Sequence, residues 1–269
     1  MQILRFESND NKIYTGCDFD NETASVIEGD IYTEFSNTGK RRSVQRILTP
    51  VLPRVIYCIG LNYRLHAKEA EMELPRYPVV FMKNLSAAAG HLDDILIPFS
   101  CARIPEVDYE VELAVVIKKN AKNVSPENAF EYVLGYTCAN DISARRWQMH
   151  AGGGQWIKGK SFDTFCPFGP WIVTPDELTD PDSLDIECVL NGNTMQKSNT
   201  SDMVFSVARI ISYLSESATL VPGTIILTGT PSGVGFTRKP PVYLTPGDVL
   251  ETKIGKIGVL KNYVKLEEE

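Results

Sequence analysis

Residues 107 to 117 read VDYEVELAVVI, and their alternation dictates an extended strand. One face carries Val107, Tyr109, Val111, Leu113, Val115 and Ile117, all apolar. The other carries Asp108, Glu110 and Glu112, then turns apolar at Ala114 and Val116. A face wetted along its whole length stays polar, so the acidic end marks the mouth of a core. Same-face neighbours on a strand lie roughly 7 Å apart. Two carboxylates that close, partly shielded from water, repel unless a positive charge sits between them. A hard divalent cation supplies that charge. An edge strand with a hydrated acidic end is the alternative these residues leave open.

Other strand-like runs surround this one. Ile3–Phe6, Lys12–Thr15 and Ala24–Ile27 suggest a small β subdomain over residues 1–50. Thr49-Pro50-Val51-Leu52-Pro53 forms a stiff extended link. Beyond it a main body runs from residue 55 to 266, with strands expected at Val55–Ile59, Val79–Met82, Trp171–Thr174, Ile186–Leu190, Thr224–Thr228 and Val249–Ile254. Asn191-Gly192 signals a tight hairpin. Helical patterns are few: Pro126–Tyr132 behind the cap Ser125, and Asp202–Ser215 with apolar residues at helical spacing. The acidic tail Leu266–Glu269 is expected to fray. Too few helices for repeated βαβ units predict a mostly β, α+β architecture.

Charge narrows the function classes. A formal net charge of -7 and the absence of a basic stripe argue against nucleic acid. No run approaches membrane-span length. MQILRFESND at the start carries no signal-like core, so cytosol is the default expectation, with a processed organellar chain as the alternative. The six cysteines have no paired spacing, and Cys58, Cys138, Cys166 and Cys188 in apolar surroundings read as buried reduced thiols.

Several polar residues are candidates for chemistry. Asp141 reads as the end of a strand and the start of a helical turn, which would put Asp141, Arg145 and Gln148 on one face. A plain helix N-cap is the other reading of Asp141. His66 and Glu69, three apart, share a helix face and can form a dyad in which the carboxylate orients the imidazole. Lys160 follows the glycine-rich run Gly152–Gly154 and is either functional or simply solvated. Thr228-Gly229-Thr230-Pro231-Ser232-Gly233-Val234-Gly235 has free amides and a hydroxyl that could hold a carboxylate, but lacks the ending of a phosphate loop.

Five ordered motifs give these candidates a common frame. They are Ile59-Gly60-Leu61-Asn62-Tyr63 with His66 and Glu69; Glu110-x-Glu112; Asn140-Asp141-x-Ser143-Ala144-Arg145; Gly159-Lys160-Ser161-Phe162-Asp163-Thr164-Phe165-Cys166-Pro167; and Leu227-Thr228-Gly229-Thr230-Pro231-x-Gly233-Val234-Gly235. Together they resemble the fumarylacetoacetate hydrolase superfamily over nearly the whole main body. Val234-Gly235-Phe236-x-Arg238-Lys239-Pro240-Pro241-Val242 and Ser198-Asn199-Thr200 resemble its oxaloacetate tautomerase branch. The resemblance implies a mixed β-sandwich roll, a homodimer, and a substrate-facing lid over residues 64–78.

It also implies that Glu110, Glu112 and Asp141 hold one divalent ion. An all-carboxylate set favours Mg²⁺ or Mn²⁺. His66, Glu69 and Lys160 become the catalytic residues, and Arg145, Gln148, Lys160 and Thr230 the substrate contacts. Three carboxylates and one dication leave about one negative charge, which Lys160 and Arg145 are expected to offset for an anionic 2-oxo acid. An ion polarising the 2-oxo group would stabilise an enolate. Keto–enol tautomerisation of oxaloacetate is the leading expectation. Hydrolysis of an acylpyruvate or other 1,3-dicarbonyl, and oxaloacetate decarboxylation, share the same enolate and remain alternatives.

Overall fold

The computed structural model describes residues 1–268; of the tail Leu266–Glu269, Glu269 lies outside the described residues. Strands dominate, as the scarcity of helical patterns predicts. One large mixed sheet runs in the order Phe35–Ser43, Thr23–Gly29, Ile13–Cys17, Gln2–Glu7, Cys166–Val173, Val133–Asn140, Val111–Ile117, Thr224–Leu227, Val55–Gly60, Val79–Lys83. Most pairs are antiparallel, but Thr224–Leu227 lies parallel to Val55–Gly60. A second sheet, in the order Asn193–Asn199, Asp185–Leu190, Val249–Ile254, Gly258–Leu266, Asp94–Ile97, packs across Val111–Ile117, Val133–Asn140 and Cys166–Val173. The result is a mixed β-sandwich roll.

The first strands form a meander, and Gln2 and Ile3 join it to the large sheet opposite Val173 and Ile172. Leu4, Phe6 and Ala24 make a small separate core beneath Trp171, while Ile3, Cys17 and Ile27 belong to the main core. Phe35–Ser43 is a strand that the sequence pattern does not announce, because its composition is polar and its residues are largely exposed. It pairs with Thr23–Gly29. The hairpin forms where expected, with Asn191 at φ 50° and Gly192 at φ 79°, both in the left-handed region that such a turn requires.

Three expectations need correction. The helix expected over Asp202–Ser215 begins at Val207, because the Ser206 side chain accepts from Arg209 N and caps it there. Pro126–Tyr132 is a 3₁₀ helix, and the Ser125 side chain makes no capping bond. The run 107–117 is not one strand. It splits into Val107–Asp108 and Val111–Ile117, and the break at Tyr109 and Glu110 lies at the site described next. All six cysteines are buried and free. No helix among the described residues is long and apolar enough to cross a membrane.

Candidate active site

Side chains take over the backbone bonds that the ladder loses at the break. Asn140 Oδ1 accepts from Glu110 N at 2.8 Å. Gln196 Oε1 accepts from Val111 N at 2.9 Å. Glu110 O in turn accepts from Asp141 N at 2.8 Å. These bonds meet the need of every buried amide for a partner, and they free the chain to bring Glu110 beside Glu112 and Asp141. One oxygen from each of the three carboxylates lies within 4.8 Å of the other two, and all three residues are buried.

Asp141 is not where local pattern placed it. Ser143 and Ala144 pair with Asp108 and Val107, which holds the segment extended past Asp141. Helical structure starts at Arg145, after that pairing, and runs into a single π turn at Trp147–Ala151. Asp141 therefore neither caps a helix nor shares a helix face with Arg145 and Gln148. Those two do meet, Arg145 Nη1 donating to Gln148 Oε1 at 2.9 Å.

Three buried cations pair with three buried carboxylates, Glu110, Asp141 and Asp108. Lys160 Nζ donates to Glu110 Oε2 at 2.8 Å and to Asp141 Oδ2 at 2.9 Å. The lysine is 1% exposed, so the solvated alternative is excluded, and it ends a short helix, Ile157–Lys160. Arg145 Nη1 lies 2.7 Å from Glu110 Oε1, and its Nε donates to Asp108 Oδ2 at 2.8 Å. Lys83 Nζ lies 2.5 Å from Asp141 Oδ1. It also donates to the carbonyls of Ile142 at 3.0 Å and Phe165 at 2.8 Å, and to that of Lys160. Burial alone would raise the Glu110 carboxyl, but Lys160 and then Arg145 hold it well below the usual range. Burial lowers Arg145 and Lys160, yet the neighbouring carboxylates outweigh it and raise both.

Glu112 is different. Among the described residues no cation pairs with it; Gly229 N donates to its Oε2 at 2.5 Å. Burial, then Asp141, then Glu110 push its carboxyl well above the ordinary value. A buried carboxylate without a counter-charge, within reach of two more, is what a dication would neutralise. The oxygen-only donor set fits a hard ion such as Mg²⁺ or Mn²⁺.

His66 and Glu69 meet on the helix Arg64–Glu69, with His66 Nδ1 3.3 Å from Glu69 Oε2. Gly233 N donates to both Glu69 oxygens at 3.0 Å. Partial burial raises the Glu69 carboxyl, but the bonds from His66 and Gly233 prevail and lower it. A cavity of about 350 Å³ joins these groups. Its polar side presents His66, Glu110, Glu112, Arg145, Gln148, Lys160 and Thr230. Ile59, Leu61, Met72, Phe81, Trp156 and Phe236 form the apolar side, so part of the segment 64–78 does face the cavity.

The loop 228–235 differs from expectation. Its amides hold the protein's own carboxylates instead of waiting for a ligand's. Gly229 N serves Glu112, Gly233 N serves Glu69, and Gly235 N serves Asp108 Oδ1 at 2.7 Å. Asp108 and Glu112 are buried, where unfilled lone pairs are costly, and these amides are the nearest donors. Thr230 stays on the cavity wall. Sequence reading missed Lys83, Asn140 and Gln196, and saw Asp108 only as one member of an acidic face. Lys83 lies at the end of an apolar strand run, where a cation has no local partner; that mismatch is the signal available. Asn140 is quoted in a motif, but nothing local says that its amide closes a strand break.

The family described as fumarylacetoacetate (FAA) hydrolase C-terminal matches residues 55–265, which include every residue of this cavity. The chain is 50% identical over 229 residues to the fumarylacetoacetate hydrolase domain-containing protein 2 homolog of Dictyostelium discoideum, covering 82% of this chain and 74% of that one. It is 46% identical over 224 residues to the human protein named oxaloacetate tautomerase FAHD2A, mitochondrial, covering 83% and 70%. Among solved structures, the fumarylacetoacetate hydrolase of Exiguobacterium antarcticum superposes with a TM-score of 0.87 at 36% identity, over 99% of this chain and 100% of that one. The 5-carboxymethyl-2-hydroxymuconate delta-isomerase of Mycobacterium smegmatis gives 0.86 at 34%, with the same coverage. By these matches the chain belongs to the fumarylacetoacetate hydrolase family, in the branch of the relatives named oxaloacetate tautomerases.

Proposed function

We propose that this protein is a divalent-metal-dependent isomerase that interconverts the enol and keto forms of a 2-oxo acid, oxaloacetate first. The observation that carries the reading is the convergence of Glu110, Glu112 and Asp141 within 4.8 Å beside a cavity that Lys160 also lines. Relatives named oxaloacetate tautomerases, at 46% and 48% identity, support the choice of substrate. Glu110, Glu112 and Asp141 would hold Mg²⁺ or Mn²⁺, which supplies Lewis acidity toward a 2-oxo group.

The side chains do the rest. Lys160 Nζ spends two of its three protons on Glu110 and Asp141, which leaves one for an enolate oxygen. Glu69 accepts from His66 Nδ1, so the imidazole keeps its basic lone pair on Nε2 and can exchange the proton at C3. Gln148 Oε1 is occupied by Arg145, which leaves the Gln148 amide nitrogen to donate to a substrate carboxylate. Arg145, held by Asp108 and Glu110, fixes that amide and adds positive charge at the cavity wall. Thr230 offers a hydroxyl.

A proton NMR time course on freshly dissolved enol oxaloacetate, with protein and Mg²⁺ against a no-protein control, tests the reading. Faster conversion to the keto form without extra pyruvate supports it. Faster pyruvate formation moves the assignment to a decarboxylase, and no acceleration of either rejects oxaloacetate. The second reading is a C–C hydrolase of acylpyruvate-type 1,3-dicarbonyls. The apolar side of the cavity favours it, since oxaloacetate brings no apolar group to meet Met72, Trp156 or Phe236. His66→Ala separates the two. Loss of C–C cleavage with enol exchange spared assigns the dyad to a water step.

A homodimer is part of the proposal. The sheet-edge strand Val79–Lys83, with Val79, Val80 and Met82 exposed, supports it, and light scattering in solution tests it. The division into a subdomain over 1–50 and a catalytic body over 55–266 is also proposed, and the small separate core under Trp171 supports it. The mitochondrial location in the relatives' names supports an organellar compartment over the cytosol.

A further inference from the structure

Gln196 comes from the second sheet, on the strand Asn193–Asn199, and is 1% exposed. Its amide is fully used inside the protein. Oε1 accepts from Val111 N at 2.9 Å, the backbone amide between Glu110 and Glu112. Nε2 donates to Pro231 O at 2.9 Å and to Thr230 Oγ1 at 2.8 Å. This orientation has no alternative. A backbone N–H can only donate and a carbonyl can only accept, so the amide oxygen must face Val111 and the nitrogen must face Pro231.

The consequence falls on Thr230. A threonine hydroxyl ordinarily donates or accepts as its neighbours dictate. Here Oγ1 receives a proton from Gln196 and cannot return its own along the same line. No acceptor among the described residues takes that proton, and Thr230 lines the cavity.

We infer that Gln196 is a positioning residue that fixes the Thr230 hydroxyl as a hydrogen-bond donor into the cavity, aimed at an anionic or carbonyl oxygen of the substrate. The identity of that oxygen rests on the 2-oxo acid reading; the direction of the proton does not. The same amide grips Val111, so the donor sits at a fixed offset from Glu110 and Glu112. Substrate oxygens are thereby registered against the acidic cluster by a residue that touches neither substrate nor metal ligand side chains.

Neutron diffraction from deuterium-exchanged crystals tests the geometry directly. The deuteron on Thr230 Oγ1 is expected on the cavity side, and one on the line to Gln196 overturns the inference. In solution, oxalate affinity in the presence of Mn²⁺ is measured by calorimetry for wild type, Thr230→Val, Gln196→Met and the double variant, with the melting temperature of each. Thr230→Val is expected to weaken oxalate roughly tenfold to a hundredfold, the range of one hydrogen bond to a charged group. Gln196→Met is expected to weaken it severalfold, and the double variant to bind no more weakly than Thr230→Val. Equal loss from Gln196→Met in both backgrounds overturns the inference, because Gln196 would then act without Thr230. If Gln196→Met fails to fold, Gln196→Glu keeps the bond to Val111 N and turns an acceptor toward Thr230; oxalate unaffected by it is the contrary result. Wild type that binds no oxalate defeats the 2-oxo acid reading, while the neutron result still decides the direction of the proton.

Discussion

At the residue scale, the cluster's balance of charge governs what substitution does. Glu110→Gln and Asp141→Asn remove a proposed metal ligand but keep the volume. We expect each to lose activity at least a hundredfold, with Mn²⁺ affinity by calorimetry reduced and the melting temperature lowered, since each carboxylate also pairs with two buried cations. Full activity in either variant rejects the assignment. Lys83→Met leaves Asp141 without one cation and several carbonyls without their donor. Breaking a buried pair costs about 3–5 kcal/mol, so thermal unfolding should show a marked loss. Mg²⁺ should recover more stability in this variant than in wild type, because it replaces charge beside Asp141. His91 gives a pH dependence. Its Nδ1 accepts from Lys261 N at 3.2 Å, and burial, then Lys261, lower its pKa from 6.5. The fold thus prefers neutral imidazole. That stability is complete above the unfolded value and is lost as pH falls through it toward the lowered folded value. The melting temperature of His91→Gln should therefore fall less than that of wild type between about pH 7 and pH 5. The triad, the dyad and Lys160 were legible in the sequence because motifs carry them. Lys83 and Gln196 were not, because their partners lie far away along the chain and local pattern records only near neighbours.

At the element scale, the break in the strand 107–117 matters most. Alternation announced the strand and the acidic face. It could not announce the break, which depends on side chains of Asn140 and Gln196 arriving from other strands. The same limit misplaced the helix after Asp141, where pairing of Ser143 and Ala144 with Val107 and Asp108 overrode local helical preference. Runs with strong apolar periodicity, such as Val55–Gly60 and Val249–Ile254, were read almost to the residue. Gly235 shows how tightly the elements close. A Cβ there would lie 2.5 Å from Asp108 Oδ1 and closer still to Val242 O. Gly235→Ala must displace Asp108, and through it Arg145. We expect a loss of about 1–3 kcal/mol by chemical denaturation, together with a fall in kcat/KM. A purely local strain would lower stability and leave kcat/KM untouched.

At the scale of the whole molecule, the fold class followed from what was missing: helices too few for βαβ repeats left a mostly β body. The order of strands was not legible, since a strand's pattern reports its two faces and not its neighbours. The cavity belongs to that unreadable level. His66 and Glu69 enter from the helix after Val55–Gly60, Lys160 from the short helix Ile157–Lys160 before Cys166–Val173, and Thr230 from beyond Thr224–Leu227. Glu110 and Lys160 are 50 residues apart, Val111 and Gln196 are 85 apart, and Glu112 and Gly229 are 117 apart. Local closure of a single hairpin assembles none of these pairs. Folding must therefore complete its long-range, slow contacts before the chain can capture an ion. An ion held there, as proposed, would stabilise the native state alone. Mg²⁺ should slow unfolding in stopped-flow measurements and leave the refolding rate unchanged. Faster refolding in Mg²⁺ would show the acidic cluster forming early. An ion held by these carboxylates, as proposed, would act as a proofreading step in biogenesis, because only a correctly finished chain would be locked and every misassembled one would stay open to repair or destruction.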